Sequence, residues 1–148
     1  MPLPKSVVKI KKNGVEYVSN VDRVQYLISE LIRAALRDTG KLIRRRILDK
    51  VRKLRGMRKG RRPPNAFQIW VRKRENDLQI GVRHNTWYGA DQELGTKNQP
   101  KRALIRDTTY ENINEIRILQ GKYLSAIENE NRAIGLIDED DEGDNSDE

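Results

Sequence analysis

The chain has 148 residues and a mass of 17.3 kDa with a mean hydropathy of −0.85, the size of one ordinary domain. Hydrophobic residues make up 36% of it and charged residues 35%, with 2 Trp, 5 Tyr and 1 Phe; that supports one modest core, so a single domain with floppy segments is expected. The absence of cysteine excludes disulfides, thiolate metal sites and a cysteine nucleophile and fits a reducing cytoplasm, and a single histidine argues against most zinc and Ser-His-Asp schemes. No segment approaches the ~18–20 apolar residues of a membrane helix, and Met1-Pro2-Leu3-Pro4-Lys5 has no apolar stretch behind its charge, so no secretory signal is expected.

The net charge of +8 is unevenly spread. Residues 1–64 carry 19 Lys and Arg against 5 Asp and Glu, residues 65–135 carry 11 against 9, and residues 136–148 carry 8 acids and no base. A basic front and an acidic tail point to a polyanion, a charged partner or the chain's own other end.

In chain order, Val7–Lys12 and Val15–Val18 flank Asn13-Gly14, a dipeptide suited to a tight hairpin turn, so residues 1–18 read as a β-ribbon arm. Ser19 or Asn20 can cap a following helix, with Asp22 in its first turn. Val24, Leu27, Ile28, Leu31 and Ala35 recur at helical spacing, and Ile43, Ile47, Val51 and Leu54 resume it. Gly40 leaves open whether this is one helix or two. Its polar side carries Arg33, Arg37, Lys41, Arg44, Arg45, Arg46, Lys50, Arg52 and Lys53; so many mutually repelling cations suggest a negative neighbour. Residues 55–64, with Arg55, Arg58, Lys59, Arg61 and Arg62 among glycines and prolines, read as a flexible basic loop.

A second hairpin follows. Phe67, Ile69 and Val71 alternate with Gln68, Trp70 and Arg72, then Glu75-Asn76-Asp77 turns the chain, and Leu78, Ile80 and Val82 alternate with Gln79, Gly81 and Arg83. Residues 87–96 form an aromatic-led turn closed by Gly95, and residues 97–101 a loop. A last helix is expected to carry Tyr110, Ile113, Ile116, Tyr123, Leu124 and Ile127, with Asp107 or Thr108 near its start. The order gives an α+β fold, a small antiparallel sheet of hairpins packed against a long N-terminal helix and a C-terminal helix. The domain spans residues 19–130, and residues 131–148 are expected to be a disordered acidic tail. A solubility tail, an arm docking on a neighbouring subunit's basic surface, and autoinhibition of a nucleic-acid site all remain open for it.

No catalytic constellation can be assembled. His84-Asn85 has no base–orienter partner, the acidic run lacks the spacing of a calcium loop, and Gly56-Met57-Arg58-Lys59-Gly60 lacks the order of a phosphate-binding loop and follows a helix. No enzyme, cofactor or metal is expected. Sequence-independent nucleic-acid binding is possible by composition: the basic helix and loop could neutralise phosphates, with Trp70, Trp87 and Tyr88 stacking on bases.

The stretch from Trp87 to Arg106, with Glu93-Leu94-Gly95-Thr96 at its centre and Pro100 and Leu104-Ile105 beyond, resembles the signature of the small tail-completion (head–tail joining, neck) proteins of long-tailed bacteriophages. Leu94 stands where that family commonly has Phe. The resemblance covers residues 20–128 in architecture and about twenty residues in motif. It implies a non-enzymatic structural protein of the virion, made in the host cytoplasm, that assembles as a homo-oligomeric ring, commonly a hexamer. Such a ring sits between the portal–adaptor complex and the tail tube or tail terminator, with genome DNA passing through its lumen without specific binding, and no membrane is involved. Contacts are expected at Arg55, Arg58, Lys59, Arg61 and Arg62, with Trp70, Trp87 and Tyr88 as interface anchors. The alternative is a sequence-independent nucleic-acid-binding protein whose acidic tail shields its basic surface.

Overall fold

The computed structural model describes residues 8–53, 66–83, 87–98 and 100–144. Among the described residues, two hairpins and five helices follow one another: β1 (Val8–Lys12), β2 (Val15–Ser19), α1 (Val21–Lys53), β3 (Phe67–Arg72), β4 (Asp77–Val82), α2 (Trp87–Leu94), α3 (Leu104–Glu111), α4 (Ile113–Leu124) and α5 (Glu130–Asp144). The fold is α+β, as the element order predicts.

Asn13 and Gly14 both take positive φ, 54° and 78°, which matches the right-handed twist of two paired strands. β1 and β2 pair antiparallel with Ile10 opposite Tyr17 and Lys12 opposite Val15. Each hairpin forms its own two-stranded sheet, and only the second is built into the core. Residues 10–20 are all exposed, so the first ribbon stands away from the domain as an arm.

α1 is one continuous helix of 33 residues, about 50 Å long at 1.5 Å per residue, and it organises everything else. Gly40 neither kinks nor ends it. It is buried because the second hairpin comes in there: a Cβ at Gly40 would lie 3.0 Å from Leu78 Cδ1 and 3.1 Å from Ile69 Cδ1. Phe67, Ile69 and Val71 of β3 oppose Val82, Ile80 and Leu78 of β4, so their alternation places one apolar face toward α1.

Two core clusters lie along α1. Toward its start, Leu27, Leu31 and Ala34 pack with Tyr123, Ala126, Ala133, Leu136 and Ile137. Toward its end, Ile43 and Ile47 pack with Ala66, Phe67 and Leu104. The Tyr123 hydroxyl donates to the Asp38 carboxylate between them.

Two expectations need correction. The last helix is not single: Asn112, with φ −102° and ψ 16°, interrupts it, and its side-chain amide donates to the Thr108 carbonyl at 2.8 Å. Tyr123 is buried while Tyr110, Leu124 and Ile127 face outward. Residues 131–144, expected to be disordered with the rest of the 131–148 tail, lie instead in α5. Ala133, Leu136 and Ile137, at helical spacing just before the acids, give α5 an apolar face that closes on α1, and Arg23 pairs with Glu130 where the two helices begin. Residues 145–148 lie outside the described residues.

Candidate functional site

The motif that carries the family resemblance is a structural junction. α2 ends at Leu94 with the Gly95 N–H donating to the Asp91 carbonyl at 2.8 Å. Gly95 has φ +79°, and a Cβ there would meet the Lys101 nitrogen and Cα at 3.0 and 3.1 Å, so both the turn and the returning backbone require glycine. Glu93 then reaches across to the start of α3. Its carboxylate accepts from the Ile105 N–H at 3.0 Å and the Arg106 N–H at 3.2 Å. These are two of the unsatisfied donors that open any helix, and the negative charge suits the positive end of the helix dipole. The residue at the cap position itself, Ala103, offers no side-chain bond, so Glu93 supplies at long range what a local Ser or Asp would supply elsewhere. Leu94 between these fixed groups is 73% exposed. Thr96 and Pro100 are exposed on the loop that follows.

Trp70 lies on the outward face of β3, exposed, with its ring over Gly81 on the neighbouring strand; a Cβ on Gly81 would sit 3.2 Å from Trp70 Cζ3. Trp87 and Tyr88 begin α2, and their side chains lie outside the described residues. So do Arg55, Arg58, Lys59, Arg61 and Arg62, and His84. The structure therefore places the motif and Trp70 on separate elements.

The basic face of α1 finds much of its counter-charge within the chain, a point sequence spacing does not reveal. Arg46 bonds both oxygens of Glu115 at 2.9 and 2.8 Å, and Lys50 pairs with Glu111. Arg44 Nε donates to the Phe67 carbonyl at 3.0 Å, tying α1 to β3, and Arg33 pairs with Glu30. Glu111 and Glu115 come from α3 and α4, more than sixty positions beyond the cations they pair with. The hydrogen bond that Arg46 donates to Glu115 raises the Arg46 pKa above its ordinary value, with the attraction between the charges adding to it. At the far end of the second hairpin, Arg72 donates to Asp77 at 2.7 Å across the strand pair. That bond holds the Asp77 carboxyl below the usual carboxylate range and raises Arg72.

Two grooves remain. One runs between the start of α1 and the α4–α5 turn, floored by Leu27, Ile28 and Leu31 and rimmed by Val24, Ile127, Glu128 and Glu130. The other lies between α1 and α4, with Leu42, Ile118 and Leu119 among Asp38, Lys41, Arg45, Glu115 and Lys122. Among the described residues, no group of three or more His, Cys, Asp or Glu is placed to hold a metal ion, and no helix is long and apolar enough to cross a membrane. Compared with known protein families, curated proteins and solved structures, the chain matches none.

Proposed function

We propose that this chain is a neck protein of a long-tailed bacteriophage, a ring-forming subunit that joins the DNA-filled head, through its portal and adaptor, to the tail tube. The observation that carries the reading is the first ribbon. An isolated two-stranded hairpin is marginal in water, yet this one is exposed along residues 10–20, with Ile10 at 56% and Tyr17 at 62%. Such an arm suits a chain whose finished form is an assembly.

Other features support the same reading. The Glu93–Thr96 junction stands between a hairpin and a closing run of helices, in the order the resemblance implies. Leu94 faces outward from a turn that is otherwise fixed on both sides. A closed ring of identical subunits needs two unlike patches on each, and the arm and the Leu94 turn lie on separate elements. The cations Arg55, Arg58, Lys59, Arg61 and Arg62 supply positive charge for an acidic portal, adaptor or tail face. In this reading the chain catalyses nothing and holds no cofactor, and the genome passes through the ring without specific contact.

Sequence-independent nucleic-acid binding draws on the same cations, and it is weakened where Arg46 and Lys50 are already held by Glu115 and Glu111. Light scattering separates the two. The neck reading predicts an oligomer, a multiple of 17.3 kDa, whose mass is unchanged by duplex DNA at either of two salt concentrations. A monomer that gains mass with DNA at low salt and loses it as salt rises overturns that reading.

A further inference from the structure

The ribbon arm and the groove at the start of α1 form a complementary pair that one copy of the chain cannot use on itself. On the arm, Ile10, Val15 and Tyr17 share one face, because Ile10 opposes Tyr17 and Lys12 opposes Val15. The groove presents Val24, Leu27, Ile28 and Ile127. Within one chain both remain uncovered: Ile10, Val15, Tyr17, Val24 and Ile127 are all exposed together. Asn20 alone separates β2 from α1, which leaves no slack for the ribbon to fold back onto the groove beside its own base.

Charge decides which groove takes it. The arm carries Lys9, Lys11 and Lys12 against Glu16. The groove at the start of α1 carries Glu128 and Glu130 against a single cation, Arg23, which pairs with Glu130. The groove between α1 and α4 carries three cations, Lys41, Arg45 and Lys122, against Asp38 and Glu115; Asp38 accepts from Tyr123, Glu115 from Arg46, and Lys122 pairs with Glu139. A basic ribbon is drawn to the first and repelled by the second.

We infer that the arm of one copy docks in the α1/α4–α5 groove of a second copy, with the face that carries Ile10, Val15 and Tyr17 on the groove floor and Lys12, on that same face, toward the neighbour's Glu128. This rests on the neck reading only in naming the second copy as the next subunit of a ring. The contact is heterologous, arm to groove, and so it can repeat around a closed circle.

The chain's lack of cysteine gives a clean test. Full-length Tyr17→Cys and Ile127→Cys proteins are mixed and oxidised, in solution and after addition to heads and tails. A disulfide-linked pair of twice 17.3 kDa is expected from the mixture and not from either variant alone, while Tyr17→Cys mixed with Gln79→Cys gives none. The double variant Tyr17→Cys/Ile127→Cys is expected to form a ladder of linked chains. A linked pair from Tyr17→Cys alone, an internal disulfide within one chain, or no cross-link in either setting overturns the inference. Ile10→Asp/Tyr17→Asp should reduce the oligomer to monomer with its circular dichroism retained; an unchanged mass also overturns it. Joining without the cross-link removes the arm contact and leaves the neck reading standing. A cross-linked oligomer that fails to join heads to tails does the reverse.

Discussion

Replacing Glu93 by alanine tests whether the family-like motif works as a helix cap. The carboxylate accepts the Ile105 and Arg106 N–H groups at 3.0 and 3.2 Å, and α3 has no local side-chain cap to take over. A hydrogen bond to a charged group contributes about 1.5–3 kcal/mol when buried. Here one bond is partly buried and the other exposed, so the lower part of that range applies to the first and about 1 kcal/mol to the second. The expected loss is therefore about 2–3 kcal/mol. For a domain of this length that lowers Tm by roughly 5–10 °C, at about 2–4 °C per kcal/mol. Glu93→Gln, which keeps one acceptor and loses the charge, should fall between wild type and alanine. Urea unfolding followed by circular dichroism gives both values. A Glu93→Ala loss below about 0.5 kcal/mol, the range of an ordinary surface change, would refute the capping role.

Four further outcomes are expected. Gly121→Ala in α4, where an added Cβ meets nothing within 4 Å, should stabilise by about 0.5–1 kcal/mol, whereas Gly40→Ala should destabilise, because crowding against Ile69 and Leu78 outweighs the same propensity gain; equal gains in thermal unfolding would refute that packing. Thr108→Val should add about 1 kcal/mol, since Oγ1 is buried and makes no hydrogen bond among the described residues, and a loss on chemical denaturation would show a missed partner. The Asp77 pKa is depressed in the folded state by its bond from Arg72, so the contribution of this pair is present above the ordinary carboxylate pKa and is lost as pH falls through the folded value; NMR titration of Asp77 should show that depression, and Arg72→Ala should abolish it. Neutralising Arg55, Arg58, Lys59, Arg61 and Arg62 together should block joining of heads to tails while leaving the melting transition in place, and normal joining by that variant would remove the loop from the account.

What the sequence makes legible is what short-range periodicity encodes. Asn13-Gly14 specifies its turn through the φ angles it tolerates, and the alternation from Phe67 to Val82 specifies which face of the second hairpin meets the core. The helical spacing of Val24 to Leu54 runs straight through Gly40, and only the inward position of Ile69 and Leu78 explains why a glycine sits there. Longer-range facts leave no local signature. Glu93 caps a helix that starts at Leu104, and Glu111 and Glu115 neutralise cations at Lys50 and Arg46. The acidic end of the chain hides the brief apolar pattern of Ala133, Leu136 and Ile137, because net charge dominates composition while three well-placed side chains suffice to dock a helix. Tyr110 and Ile127 are apolar yet face outward, because the side of these segments that is buried runs through Leu104, Thr108, Tyr123 and Ala126.

The most direct test of the central claim is reconstitution. On the neck reading the source is a long-tailed phage, whose purified DNA-filled heads and free tails, each made without this chain, are mixed with and without the wild-type protein, and joined infectious particles are counted. The neck reading predicts joined particles only when the protein is present, with a ring of it at the junction by electron microscopy. Joining that proceeds equally well without the protein, or particles whose junction lacks it, would contradict the account.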